Sequence, residues 1–263
     1  MILQDIINII ESVAPLSYQE NWDNSGLQVG DRNAEVHEAL LTVDVTESVV
    51  DEAISLGCDL IISHHPLLFR GLKQLTGSTP QERCVAKAIR HQIAIYSAHT
   101  SMDCYLHGVS GRMAEKLGVI EYCILSPTQE NIGLGVIGSL AQPMTMQALV
   151  EKIASVFGVE HGLRYVIGKQ DLVQRIAICG GAGADLLTEA IAQGADVYVS
   201  ADFKYHELQA AYEQIGVVDM NHWVSEHFTR EIFEELLSPH IRTRVATADK
   251  SPVQYLSSVY PTR

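Results

Sequence analysis

The chain alternates short apolar runs with amphipathic stretches, and the order of these predicts its fold. Ile2, Ile6, Ile9 and Ile10 recur at helical spacing near the start, predicting an amphipathic helix that Pro15 ends. The turn-rich stretch WDNSGLQVGD (Trp22 to Asp31) predicts a loop leading into a short strand. Ala39 to Val45 reads as a strand. Thr46 is placed as the N-cap of a helix whose Val49, Val50, Ala53 and Ile54 form one stripe, and Gly57 as its left-handed C-terminal cap. The apolar run DLIIS, a helix over about Pro80 to His91 and the strand QIAIYSAH complete a β-α-β-α-β order. That order favours a largely parallel sheet covered by helices.

The pattern then recurs. At an offset of 137 residues Ala53 meets Ala190, Ile54 meets Ile191, Gly57 meets Gly194, Asp59 meets Asp196 and Ser63 meets Ser200. Each copy continues through one more strand to a polar pair at the same internal spacing, His99 with Asp103 and His222 with Glu226. We therefore expect two similar βα-layered α/β domains related by a pseudo-repeat. Between the copies lie a strand, a helix over Thr145 to Phe157 and another strand, and Pro127 with the polar TQEN stretch marks the expected boundary. The expected division is residues 1–126 with 222–263 as a metal-bearing domain, and 127–221 as the second domain.

The copies differ in their chemistry. DLIISHHP ends its strand in His64 and His65, where the second copy carries Ala201 and Asp202. Side chains at the carboxyl end of a strand lie where α/β sheets hold ligands, and a turn at Pro66 lets both rings face one cavity. His99 and Asp103, like His222 and Glu226, sit four positions apart just past a strand, so each pair shares one face of a helical turn. Mixed imidazole and carboxylate donors suit two divalent ions (Zn, Fe, Mn, Co or Ni) rather than calcium. Asp103 or Glu226 could bridge such ions. Asp202, Lys204 and His206 follow the second-copy strand and are expected to line the same cavity and contact substrate. GGAG (Gly180 to Gly183) reads as a tight strand-to-helix turn. His37, His91, His107, His161 and His240 read as surface or packing residues.

Composition narrows the partners. Eighteen basic against 32 acidic residues leave a formal charge of −14, which disfavours a nucleic-acid backbone and an anionic membrane surface. Five scattered cysteines without a C-x-x-C pair, no basic leader and no long apolar run point to reduced thiols in a cytoplasmic protein.

WDNSGLQVG, SHHP, AHTSMD, GGAG, SADFKYH and NHWVSE, in that order over nearly the whole chain, resemble the GTP cyclohydrolase 1 type 2 homologues, also called Nif-three-like proteins. The resemblance implies a homohexameric toroid and a dinuclear metal centre. It implies His64, His65, Asp103, His222 and Glu226 as ligands, with His99 as an additional ligand or an acid/base group. Asn221 and Trp223 depart from the family's common Gly and Tyr around His222, and Ser200-Ala201 replaces a Thr-Gly. Two functions stay open: a metal-dependent hydrolase of a nucleotide or related small molecule, GTP cyclohydrolase-like by resemblance only, and a non-enzymatic metal-binding or scaffold toroid.

Overall fold

The computed structural model describes residues 1–159 and 162–255; His161 lies outside the described residues. The described elements fall into two compact units, Met1–Val109 with Thr128–Gly133 and His227–Lys250, and Ser110–Pro127 with Leu134–Glu226 and Ser251–Arg263.

The first unit opens with helix α1 (Leu3–Glu11), strand β1 (Gly26–Val29), strand β2 (Glu38–Thr42), helix α2 (Glu47–Leu56) and strand β3 (Leu60–Ser63). Helix α3 (Pro80–Arg90), strand β4 (Ala94–Ser97) and the single turn α4 (Thr100–Asp103) follow. The chain continues through α5 (Val109–Leu117), the hairpin β5 (Val119–Gln129) and β6 (Ile132–Thr145), α6 (Met146–Phe157) and β7 (Arg164–Val166). Next come β8 (Leu172–Ile178), α7 (Leu187–Ala192), β9 (Val197–Ser200), α8 (Tyr205–Ala211), β10 (Gly216–Asp219) and the turn α9 (His222–Glu226). Helix α10 (Thr229–Leu237) and strand β11 (Arg242–Val245) return to the first unit.

The first sheet runs β1-β4-β3-β2-β11, with β11, β2, β3 and β4 mutually parallel and β1 antiparallel at the edge. Every residue of β2, β3 and β4 is buried, as expected of parallel strands covered on both faces. Val49, Val50 and Ala53 of α2 pack with Leu40, Ile61 and Ile95 in one core cluster. Removing the valine, leucine and isoleucine side chains of this cluster from water contributes about 1.5–3 kcal/mol each. Thr46 Oγ1 accepts the Val49 amide at 3.3 Å and caps α2, and Gly57 ends it at φ +71°. Two expected ends move. Helix α1 stops at Glu11, where the Ser12 hydroxyl donates to Ile9 O, four residues before Pro15. Strand β2 stops at Thr42, whose hydroxyl turns the chain by donating to Asp44 O.

The second sheet runs β5-β6-β8-β9-β10-β7 and repeats the first in its middle, since β8, β9 and β10 are parallel and β7 is the antiparallel edge. The repeat extends to individual bonds. Ala39 pairs with Leu60 in the first sheet, and Ile176 pairs with Val197, each 137 positions on, in the second. Asp59 Oδ2 accepts the amides of His37 and Glu38, and Asp196 Oδ2 accepts those of Gln174 and Arg175. Gly57 and Gly194 have φ +71° and +73°. A shared carboxylate staple and a shared helix cap establish the two frames as equivalent.

The expected boundary at Pro127 falls inside strand β5, and Glu130-Asn131 is the two-residue turn of the β5–β6 hairpin, with Asn131 at φ +60°. A proline is tolerated there because β5 is an edge strand. Ser110–Pro127 and the turn α9 group with the second unit.

Candidate metal centre

In the first unit three imidazoles converge. One ring nitrogen from each of His64, His65 and His99 lies within 4.8 Å of the others, a group that could hold a metal ion. The ring centroids stand 5.0, 5.3 and 5.4 Å apart. Parallel pairing of β3 with β4 causes this. Ser63 is level with Ser97, so the chain leaves both strands at the same height, and Ala98 donates its amide back to Ser63 O. Asp103, one helical turn past His99, brings Oδ1 to 3.6 Å from His64 Nε2.

Each ring is fixed from behind through Nδ1. His64 Nδ1 is 3.0 Å from Ala98 O, His65 Nδ1 is 2.9 Å from Asp44 Oδ1, and His99 Nδ1 is 2.7 Å from Asp23 Oδ1. A neutral imidazole that donates through Nδ1 carries its lone pair on Nε2, at the far side of the ring. Metal-binding histidines are oriented in this way. Asp23 is itself tightly held. It accepts the Ser25 hydroxyl at 2.8 Å and both the amide and hydroxyl of Thr100 at 3.0 and 2.6 Å. Burial pushes its pKa up, but the hydrogen bonds from His99, Thr100 and Ser25 outweigh that and hold the carboxyl well below the usual range.

In the second unit the turn α9 follows β10 and places His222 and Glu226 on one face. His222 Nε2 stands 3.1 Å from Glu226 Oε2, and His222 Nδ1 stands 2.8 Å from Asp202 Oδ2. Glu226 is buried. It lies against Gly181, whose φ is +64° and where an added Cβ would overlap Glu226 Oε1. The Gly181 amide donates to Ser225 Oγ, and that hydroxyl donates to His222 O, tying the glycine turn to the helical turn. Asp202 and Asn221, the residues at the two strand exits here, both take left-handed conformations at φ +61° and +73°. Asparagine and aspartate visit that region at modest cost. The left-handed backbone explains why glycine is suited to position 221.

Of the expected site residues, His64, His65, His99 and Asp103 gather in the first unit, and His222 and Glu226 pair in the second. Asp202 acts as the anchor of His222. His206 is exposed, with Nδ1 toward Gln209 Oε1, and Lys204 is exposed while its amide donates to Glu207. Sequence reasoning missed Asp23 and Asp44. Both sit in turn-forming loops, where a carboxylate is ordinary, and their partners lie 76 and 21 positions away. The one signal was Asp23 within the WDNSG stretch itself.

The family model described as Duf34/NIF3 (NGG1p interacting factor 3) matches residues 1–252. A Clostridium perfringens protein named GTP cyclohydrolase 1 type 2 homolog is 35% identical over 97% of this chain and 100% of its own. A Streptococcus pneumoniae protein of the same name is 33% identical over 88% of this chain and 89% of its own. Among solved structures, a Bacillus cereus protein related to NIF3 superposes with a TM-score of 0.89 at 25% identity, covering 97% of this chain and 99% of that one. Reduced HcgD from Methanocaldococcus jannaschii superposes with a TM-score of 0.80 at 27% identity, covering 93% of this chain and 97% of that one.

Proposed function

The chain belongs to the DUF34/NIF3 family, and from that premise we propose a metal-dependent hydrolase of a nucleotide or related small molecule. In this reading His64, His65, Asp103, His222 and Glu226 hold two divalent ions, and His99 carries the transferred proton. The observation that supports it most is the anchoring of four imidazoles through Nδ1, by Ala98 O, Asp44, Asp23 and Asp202. Metal-ligating histidines are almost always held in this way through their second ring nitrogen. The donor set of imidazole nitrogen and carboxylate oxygen fits zinc, iron, manganese, cobalt or nickel.

Bound ions of this kind lower the pKa of a coordinated water, so that hydroxide is available near neutral pH. The chain's own residues do the rest. Asp44 and Asp202 keep His65 and His222 in one tautomer and one orientation. Asp23 fixes which nitrogen of His99 carries a proton, leaving Nε2 as the exchanging atom. The setting of this reading is a homohexameric ring, taken from the family resemblance, in the cytoplasm, taken from the scattered cysteines.

The test is metal content and turnover together. Metal-loaded protein is assayed against GTP and a nucleotide and phosphoester panel, alongside His64→Ala, His99→Ala and Glu226→Ala. We expect turnover that collapses in Glu226→Ala with the sedimenting species unchanged. In His99→Ala we expect retained metal with turnover reduced about 100-fold or more, as for loss of a general acid or base. Tight metal retention without turnover on any substrate would favour the non-enzymatic metal-binding assembly, and absence of retained metal would overturn both.

A further inference from the structure

Beside the three histidines of the first unit lies an aromatic pair that nothing in the metal chemistry requires. Trp22 and Phe69 are 57% and 46% exposed, with centroids 5.9 Å apart and planes inclined at 52°. The plane of the His99 ring is steeply inclined to both, at 5.9 Å and 72° from Trp22 and 6.4 Å and 74° from Phe69. Single exposed apolar residues need no explanation, but a pair fixed at a cluster of polar groups has the make-up of a ligand site.

The pair is fixed by name. Asn24 Nδ2 donates to Leu68 O at 2.6 Å, and the Leu68 amide donates to Gln28 Oε1 at 3.2 Å, so the loop that carries Phe69 is pinned to the loop that carries Trp22. Gln28 in turn donates to Asn24 O at 2.7 Å, closing the latch. Trp22, Asp23 and Asn24 thus have three separate jobs: an exposed ring, the anchor of His99 and the pin for Leu68. Burial does not explain the latch, because it holds Phe69 in a position where nearly half of the side chain meets water. Arg70 and Lys73, in the same loop, are exposed cations in a chain of net charge −14.

Resting on the metal-site reading for the chemistry that would follow, we infer that Trp22 and Phe69 form a stacking wall for an anionic planar heteroaromatic ligand, of which a nucleoside monophosphate is the simplest. Stacking on aromatic rings tolerates any base, so the wall selects for a flat π system rather than for one base. His99 would then face the ring's edge.

The experiment uses full-length protein with Trp223→Phe, so that Trp22 is the sole tryptophan. GMP, AMP and a pterin are titrated by emission and by calorimetry, with ribose 5-phosphate as the control lacking a ring. We expect the aromatic ligands to quench Trp22 and ribose 5-phosphate to leave it unchanged. Adding Phe69→Ala should weaken aromatic binding by about 5- to 150-fold, while Phe69→Tyr stays within about 3-fold. Bound metal and sedimentation should stay unchanged in both. Aromatic binding without quenching, or no binding of any ring, would overturn the wall, as would a Phe69→Ala protein whose assembly state changes while its ring binding does not. Element analysis on the same samples keeps the two readings apart, since quenching without metal sinks the metal centre alone.

Discussion

Gly181→Ala offers a measurement in which backbone strain and site geometry separate. Gly181 has φ +64°, a region that costs an alanine about 1–2 kcal/mol. For a protein of this size that lowers Tm by about 2–8 °C. The new Cβ would also overlap Glu226 Oε1, standing 3.2 Å from Cδ of that residue and 3.5 Å from His222 Cε1. Restoring van der Waals separation moves the carboxylate by about 1 Å, more than the roughly 0.5 Å that a working ligand geometry tolerates. The expected cost in metal affinity is about 10- to 100-fold, on the scale seen when ligand orientation is lost. Gly194→Ala is the matched control, because its φ is +73° and nothing lies within 4 Å of its added Cβ. In thermal unfolding with excess chelator Gly194→Ala should lose the backbone strain alone, and Gly181→Ala at least as much. Only Gly181→Ala should lose metal in competition titrations followed by element analysis. Equal metal affinity in the two variants would refute the placement of Glu226 as a ligand against Gly181.

Asp23→Asn tests the anchor of His99. Asp23 is held below the usual carboxylate range in the folded chain, so its stabilisation is fully present above the unfolded value near 3.9 and fades as pH falls through the native one. In urea unfolding of metal-free protein, the gap between wild type and Asp23→Asn should be widest near pH 7 and narrow below about pH 4; a constant gap would contradict the assigned bonds. Asn221→Ala and Asn221→Gly both lose the bond to Tyr255 and the acceptor for the Val224 amide. Their difference isolates φ +73°, so the alanine variant should be less stable by about 1 kcal/mol, and equal stability would argue against the left-handed backbone there.

Much of this fold was legible because local rules and tertiary demands agree. Thr46 and Gly57 cap α2 as their chemistry requires, and the offset that aligns Asp59 with Asp196 also aligns the bonds those carboxylates make. That His64, His65 and His99 would gather was legible as well, because chains leaving level ends of neighbouring parallel strands bring their next side chains together. The boundary was not. Pro127 carries a turn signal, yet an edge strand absorbs it, and the β5–β6 hairpin of 11- and 14-residue strands gives no short-period cue to its length. Strand β11 (RTRV) was missed because three of its four residues are polar, and its charges are met by Glu38, which pairs with Arg242 and Arg244. The anchors Asp23 and Asp44 stayed hidden for a related reason: a loop carboxylate looks the same whether it serves water or an imidazole.

The doubled carboxylate staple has a consequence for descent. A chain whose two sheets share strand pairing and carboxylate staples carries its own relative within it: inside the strands one apolar side chain replaces another, as Tyr198 replaces Ile61, whereas at the strand exits the chemistry itself changes. Histidines at 64 and 65 and the alanine and aspartate at 201 and 202 are the outcomes at one such exit. Substitution tolerance should therefore run in parallel at the strand positions and part company at the exits.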